Sequence, residues 1–318
     1  MKPADSLPRL SVIVPAYGVA HLIGDALRSL QAQSRPDWEA IVVDDGAPDD
    51  VAGALAPFAD DPRIRFLHTE NGGLPTARNR AIAMARADWI ALLDGDDAYE
   101  PDYVHTMLAA VERQPGVDFL TSDATYFGAD RVGQRFSHHH SQSGALTLGG
   151  VLRREFNVFV GCTIRRDAVE AIGGFDQELR TAEDLDLWVR LLAAGYRGAY
   201  LPEPLVRYRR RPGSLSSDGR AMAAGTRAAY EKFVGLLAAR PEQADARRIL
   251  AGLDTEQAWQ DGETLILEGK ADHGLTLMAG SERRSLRWQV AMPVMQRFPA
   301  LARPLLQARQ WLPRPRYR

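Results

Sequence analysis

One cysteine, Cys162, stands alone among 318 residues. Its solitude excludes an intramolecular disulfide and any zinc site built on paired thiols, and it fits a reducing compartment. A lone cysteine of this kind reads as a small buried hydrophobe rather than a reactive thiol. Also missing is an apolar run long enough to cross a bilayer, and the opening MKPADSLPRL lacks the apolar core of a secretion signal, so a cytoplasmic location is expected. Acid is absent from the C-terminal end: between Arg283 and Arg318 lie nine arginines and no Asp or Glu, in a chain of formal net charge −2. Such a stretch either lies on an anionic membrane face or an acidic partner, or is a solvated helix end. A nucleic-acid partner is not expected.

What is present is an ordinary soluble composition, 45% apolar and 25% charged, in a chain long enough for one large α/β domain with a smaller appendage. The first hundred residues repeat one rhythm: a short apolar run, a turn rich in Gly, Pro and Asp, then a helical pattern. The runs Leu10–Val14, Glu39–Val43, Ile64–His68 and Trp89–Leu93 predict strands, and helices are predicted near His21–Gln33, Asp49–Ala59 and Thr76–Arg86. Alternation of this kind means parallel strands joined by right-handed helical crossovers, a doubly wound, Rossmann-like sheet. Beyond Pro101 a helix to about Arg113 and a short run Val117–Thr121 precede a polar, Gly-rich stretch holding His138-His139-His140. Three adjacent histidines cannot readily face one metal from a regular element, so an exposed polar turn is expected there, and the long loop is assigned to acceptor contact. From about Arg220 the composition turns Ala-, Leu- and Arg-rich with helical spacing, placing Tyr230, Phe233, Leu236 and Leu237 on one face. The predicted division is a catalytic domain over 1–217 and a helical C-terminal region with a basic tail over 218–318.

Three predicted strands end in polar clusters: Pro15-Ala16-Tyr17-Gly18, Asp44-Asp45-Gly46 and Asp94-Gly95-Asp96-Asp97. Ligands of open parallel sheets bind outside the carboxyl ends of the strands, so the clusters are expected to converge on one crevice. Closely spaced carboxylates at a strand end suit a hard cation, Mg2+ or Mn2+, that keeps open positions for phosphates. The same Asp-Gly pattern also makes ordinary turns and helix caps, so taken alone it does not decide between the two.

The set of motifs is more specific than any member. SVIVPAYG (Ser11–Gly18), IVVDDG (Ile41–Gly46), NGGLPTARNRAI (Asn71–Ile82), LLDGDD (Leu92–Asp97), GGFD (Gly173–Asp176), AEDLDLWVRL (Ala182–Leu191) and YRRRPGSLS (Tyr208–Ser216) follow one another in this order. Together they resemble family 2 glycosyltransferases of the GT-A fold, over about Leu10 to Ser217. The resemblance implies a nucleotide-sugar donor, with UDP- or dTDP-sugars favoured, a saccharide or glycolipid acceptor, inversion at the anomeric carbon, and a place in surface polysaccharide or glycoconjugate assembly. It implies that Pro15, Ala16 and Tyr17 flank the nucleobase, that Asp45 accepts a hydrogen bond from the base ring, and that Arg78 binds the donor. Asp96 is then the metal ligand with Asp97 as an alternative, Asp94 holds the donor's ribose or sugar, and Asp184 is the base with Glu183 beside it.

One position departs from the pattern. Where family members often carry a metal-binding His, Tyr208-Arg209-Arg210-Arg211-Pro212 places Arg211, which cannot ligate a cation in its protonated state. Either the metal keeps more water, or Arg211 binds the diphosphate as a fixed charge. Two rival readings follow from the residues. A sugar-phosphate nucleotidyltransferase would need a Gly-rich, basic phosphate loop after the first strand, which VPAYGVAHLIG lacks. A catalytically decayed nucleotide-sugar-binding adaptor is suggested by Arg211.

Overall fold

The structure, a computed structural model, describes residues 7–143, 145–279 and 286–309. The chain divides into two compact units between Asp245 and Ala246. The first contains β1 (Leu10–Ala16), α1 (Ile23–Gln31), β2 (Trp38–Asp45), α2 (Val51–Leu55), β3 (Ile64–Thr69), α3 (Leu74–Met84), β4 (Trp89–Leu92), β5 (Ala98–Tyr99), α4 (Tyr103–Arg113), β6 (Phe119–Gly128), α5 (Leu148–Leu152), β7 (Cys162–Arg165), α6 (Arg166–Ala171), α7 (Glu183–Ala193), β8 (Gly198–Arg210) and α8 (Gly219–Leu236). By this division α8, grouped by composition with the C-terminal helices, falls in the first unit.

All eight strands join one sheet in the order β3-β2-β1-β4-β7-β6-β8-β5. The stretch β3-β2-β1-β4 is wholly parallel, as the alternating rhythm predicts. Both faces of β1 and β2 are covered, and every residue of these strands is buried, which is why apolar residues run consecutively through their middles. The second half is mixed: β7 runs antiparallel to β4 and β6, while β6 and β8 pair in parallel. This is the GT-A architecture expected from the motifs, a doubly wound sheet whose parallel core carries an antiparallel extension.

The sequence reading ended the strand after α4 at Thr121, but β6 continues to Gly128 and pairs with β8 as far as Arg210. Polar residues in mid-strand hide it. Asp123 is fully buried and is satisfied by the hydroxyl and amide of Ser137, so a charge that looks like a loop signal sits inside the sheet. Among the described residues the three histidines are not grouped to hold a metal. His138 closes a single turn of 3-10 helix, His139 bonds Gln134, and His140 stacks on Phe136 with centroids 4.3 Å apart. Cys162 is buried as expected, and burial pushes its thiol up.

On α8, Tyr230, Phe233 and Leu237 are buried as predicted, whereas Leu236 is exposed, one step off that face. The second unit is helical: α9 (Gln243–Leu267), whose first turn begins in the preceding unit, α10 (Ala271–Ala279), α11 (Leu286–Arg297) and α12 (Ala302–Arg309). Its core is Ile266, Leu275, Met278, Met292, Met295, Ala302 and Leu306. Within it α9 and α10 touch backbone to backbone, since a Cβ on Gly274 would lie 2.5 Å from the Gly262 carbonyl. Much of the basic tail, over 280–285 and 310–318, lies outside the described residues.

Candidate active site

The carboxyl ends of the parallel strands come together as the motifs require. At β4, Gly95 separates the two acids of Asp94-Gly95-Asp96, and a Cβ there would lie 2.9 Å from the Pro15 carbonyl and 3.1 Å from Val19. Only glycine lets the acidic loop press against the end of β1. From that end Tyr17 projects with 54% of its surface exposed, as a free aromatic face rather than a core residue. Beside it, Asp49 accepts hydrogen bonds from the amides of Gly18 and Ala20, which sets the turn leaving β1.

Asp45, at the end of β2, is buried. Its two oxygens accept from the amides of Gly72 (2.8 Å) and Gly73 (2.7 Å), and Arg80 lies at 3.4 Å. It therefore organises the turn that starts α3, and contact with a base would use a remaining lone pair. Gly46, next to it, adopts φ +61°, and a Cβ there would stand 2.6 Å from the Asn71 amide. The turn is tight enough to need glycine.

Arg78 on α3 is 1% exposed. Its Nη1 donates to Glu183 at 2.7 Å and its Nη2 to Asp94 at 2.7 Å, while Nε has no partner. The sequence suggested a side chain reaching for a donor. The structure shows a bridge that joins the end of β4 to the start of α7. Burial works against the guanidinium's charge, but Asp94 and Glu183 more than offset this and hold it protonated. Next along the helix, Asn79 locks the Gly173-Gly174-Phe175 turn by donating to the Phe175 carbonyl and accepting from its amide, each at 2.8 Å. That role went unread in the sequence, although the residue sits inside the ARN motif.

Glu183 and Asp184 open α7. Three acids in the first turn, Glu183, Asp184 and Asp186, suit the positive end of the helix dipole. The turn before them is strained: Ala182 has φ +60° and ψ +18°, a left-handed conformation that costs a β-carbon-bearing residue about 1–3 kcal/mol. Strain of this kind persists only where surrounding contacts enforce it. Glu183 is nearly buried and Asp184 half-buried, with one Asp184 oxygen accepting from the Leu185 amide. Burial pushes the Glu183 carboxyl up to about 7, with Asp184's charge adding to the rise and Arg78 opposing it.

The acids after β4 are held from above by the end of β8. Arg209 donates its amide to Asp97 (2.7 Å), its Nε to the Asp96 carbonyl (2.7 Å) and its Nη2 to Asp25 (2.6 Å). Arg211 donates Nε to the Asp96 carboxylate at 2.8 Å. Burial, then the charges of Asp96 and Asp94, raise the Asp97 carboxyl well above its ordinary range. Asp96 is raised by burial and by Asp94, against the pull of Arg211.

As a cation site the cluster fits in part. Asp97 is turned inward, and among the described residues no three Asp, Glu, His or Cys side chains are grouped to hold a metal. Asp94 and Asp96 keep 27% and 17% of their side chains exposed. A hard cation with most positions filled by phosphate and water matches so few protein donors.

A doubly wound α/β sheet with acids at its strand ends defines a class, and sequence comparison defines the family. The profile of "Glycosyl transferase family 2" matches residues 11–173. The chain belongs to this family and is a glycosyltransferase. It is 31% identical over 220 residues to the "Putative teichuronic acid biosynthesis glycosyltransferase TuaG" of Bacillus subtilis, covering 66% of this chain and 82% of that protein. Several other curated relatives are longer, and the match spans 24–30% of some and 61–64% of others. Among solved structures, S. aureus TarS 1-349 in complex with UDP-GlcNAc superimposes with a TM-score of 0.63 at 17% identity, over 95% of this chain and 91% of that one. The mannosyltransferase PcManGT from Pyrobaculum calidifontis, in complex with GDP-Man and Mn2+, gives 0.62 at 18%, over 97% and 86%. At these identities the structures establish the fold alone. The family profile stops at Gly173, so Glu183, Asp184 and Arg211 lie beyond it.

The raised Glu183 carboxyl has a consequence for stability. Folding favours its protonated form, so its contribution is complete below its ordinary value near 4.5 and is lost as pH rises through about 7. Glu183→Gln is expected to lessen the fall in stability between pH 5 and pH 8, by on the order of 1–3 kcal/mol in denaturant titrations at the two pH values. Parallel pH dependence in variant and parent would contradict this.

Proposed function

We propose that the protein transfers a sugar from a UDP- or dTDP-linked donor to a saccharide or glycolipid acceptor with inversion, in the assembly of a surface polysaccharide or glycoconjugate. The observation that carries this reading is the Arg78 bridge, which places the base candidate Asp184 one residue from a carboxylate tied to the acidic strand end. Relatives support it at a coarser level: one is named for teichuronic acid biosynthesis, and two structural neighbours hold nucleotide sugars.

Tyr17 stacks on the base between the backbone of Pro15 and Ala16, and Asp45 accepts from an imide N–H of uracil or thymine. Asp94 holds the donor's ribose or sugar. Asp184 takes the proton of the acceptor hydroxyl as that oxygen bonds to the anomeric carbon, and the bond from this carbon to the diphosphate breaks on the opposite face. Glu183, kept in place by Arg78, orients the acceptor or raises the proton affinity of its neighbour through like charge. Arg211, fastened to Asp96 through Nε, offers its remaining N–H groups to the diphosphate. Asp96, with Asp97 as the alternative ligand, would hold Mg2+ or Mn2+, which when bound would stabilise the charge of the departing diphosphate.

The second unit supports a location as well. Val294, Phe298, Leu301 and Leu305 are exposed there beside Arg297 and Arg303. We place this surface against the anionic inner face of the membrane, where a glycolipid acceptor would be presented. Flotation with anionic vesicles that weakens with added salt is the expected result; equal recovery with zwitterionic vesicles would contradict it.

A nucleotide-sugar screen read by thermal stabilisation, with and without Mn2+, identifies the donor. Asp184→Asn is expected to keep that stabilisation and to lower transfer by about a thousandfold or more, within the range lost when general-base catalysis is removed. Undiminished turnover would reject Asp184 as the base. Arg211→Ala is expected to weaken UDP binding in EDTA by about tenfold, the loss of one charge-assisted contact. Unaltered UDP affinity in calorimetry would remove Arg211 from the donor site.

A further inference from the structure

The strained turn at Ala182 needs a support, and α8 supplies it. Thr181 is 3% exposed, and its hydroxyl donates to the Ala221 carbonyl of α8 at 2.9 Å. One turn further along α8, Gly225 lies against the same residue. A Cβ on Gly225 would stand 1.9 Å from the Thr181 hydroxyl oxygen and 2.6 Å from its backbone carbonyl oxygen. The second contact is with backbone, so a side-chain rotation cannot relieve it. Ala221 and Gly225 are four residues apart and share one face of the helix.

The same helix holds the loop before this turn from further along. Lys232 pairs with Asp176 at 2.5 Å and with Glu178 at 2.7 Å, and Asp176 closes the GGFD motif. The helix itself is fixed at both ends. Asp218 caps its N-terminus by accepting from the Arg220 and Ala221 amides, and buried Tyr230 bonds the Leu152 carbonyl at the end of α5. All of α8 lies beyond the residues matched by the family profile.

We infer that α8 is a positioning element for the reaction: through Gly225 and the Thr181–Ala221 hydrogen bond it enforces the left-handed Ala182 turn and thereby aims Asp184 at the acceptor hydroxyl. Thr181 and Gly225 are positioning residues that act through Ala182 and touch no substrate. The inference rests on the reading of Asp184 as the base. Its signature is a loss in turnover without a loss in donor affinity, because the groups proposed to hold the nucleotide, at the ends of β1, β2 and β4 and at Arg211, include none hydrogen-bonded to Thr181 or Gly225.

The test compares three substitutions. Gly225→Ala adds a methyl where there is no room, Thr181→Val removes the hydrogen bond at constant shape, and Gly235→Ala adds a methyl on the same helix with nothing within 4 Å. Turnover is followed as UDP release from the UDP-sugar that the wild type consumes fastest, UDP binding by calorimetry, and local order by hydrogen exchange at the amides of 182–186. Gly225→Ala is expected to lower kcat by about ten- to a hundredfold and Thr181→Val by about fivefold, as for misplacement of a catalytic group by up to about 1 Å. In both, donor KM and UDP affinity stay within about twofold of wild type and exchange over 182–186 quickens, while Gly235→Ala matches wild type throughout. Should Gly225→Ala fail to fold, Thr181→Val decides. Wild-type kcat and exchange in Gly225→Ala or, failing it, in Thr181→Val, with Asp184→Asn inactive, would overturn the role of α8 and leave the base in place. Full activity in Asp184→Asn would instead overturn the base.

Discussion

A guanidinium removed from water is tolerated only where carboxylates replace its hydration, and Arg78 meets that condition with two of them. The partners come from segments far apart in the chain, Asp94 at the end of a parallel strand and Glu183 at the head of a helix. Removing either would leave a charge that is 1% exposed short of a partner, so the three groups constrain one another. Much of the site depends on this bridge. It fixes the distance between the acidic end of β4 and the helix that carries Glu183 and Asp184.

The remaining geometry collects negative charge and then answers it. Burial, with the charge of neighbouring carboxylates added to it, raises the proton affinity of Asp96, Asp97 and Glu183. An anionic diphosphate cannot approach such a cluster without positive charge. Arginines from β8 and from the residues after it supply part of that charge, with Arg209 clasping the backbone beneath Asp96 and Arg211 on its carboxylate. Glycine makes the crowding possible, since Gly95 lets the acidic loop touch β1.

The parallel half of the fold was legible because buried parallel strands write their burial into sequence as unbroken apolar runs. Val12–Ala16 within β1 and Ala40–Val43 within β2 are of that kind. The mixed half was not. β6 conceals a fully buried Asp123, and β8 carries Pro202 and Pro204 within its span, so neither shows a clean period. The positions of Tyr17, Asp45, Asp94 and Asp96 at strand ends followed from order and spacing. What spacing could not show was partnership: that Arg78 bridges two acids, that Asp45 carries the Gly72-Gly73 turn, or that Asp97 faces inward. Such pairings are set by tertiary contact, between residues as much as 105 positions apart in the Arg78–Glu183 pair.

One buried arginine, Arg78, joins the acidic end of β4 to the helix that carries the proposed base, and the proposed pocket depends on that bridge. A crystal structure of the protein with UDP tests it most directly. The uracil is expected on Tyr17 and the diphosphate beside Arg211 and Asp96, with Arg78 still bonded to both Asp94 and Glu183. A nucleotide bound elsewhere, or an Arg78 that has let go of either carboxylate to reach the phosphates, would contradict it.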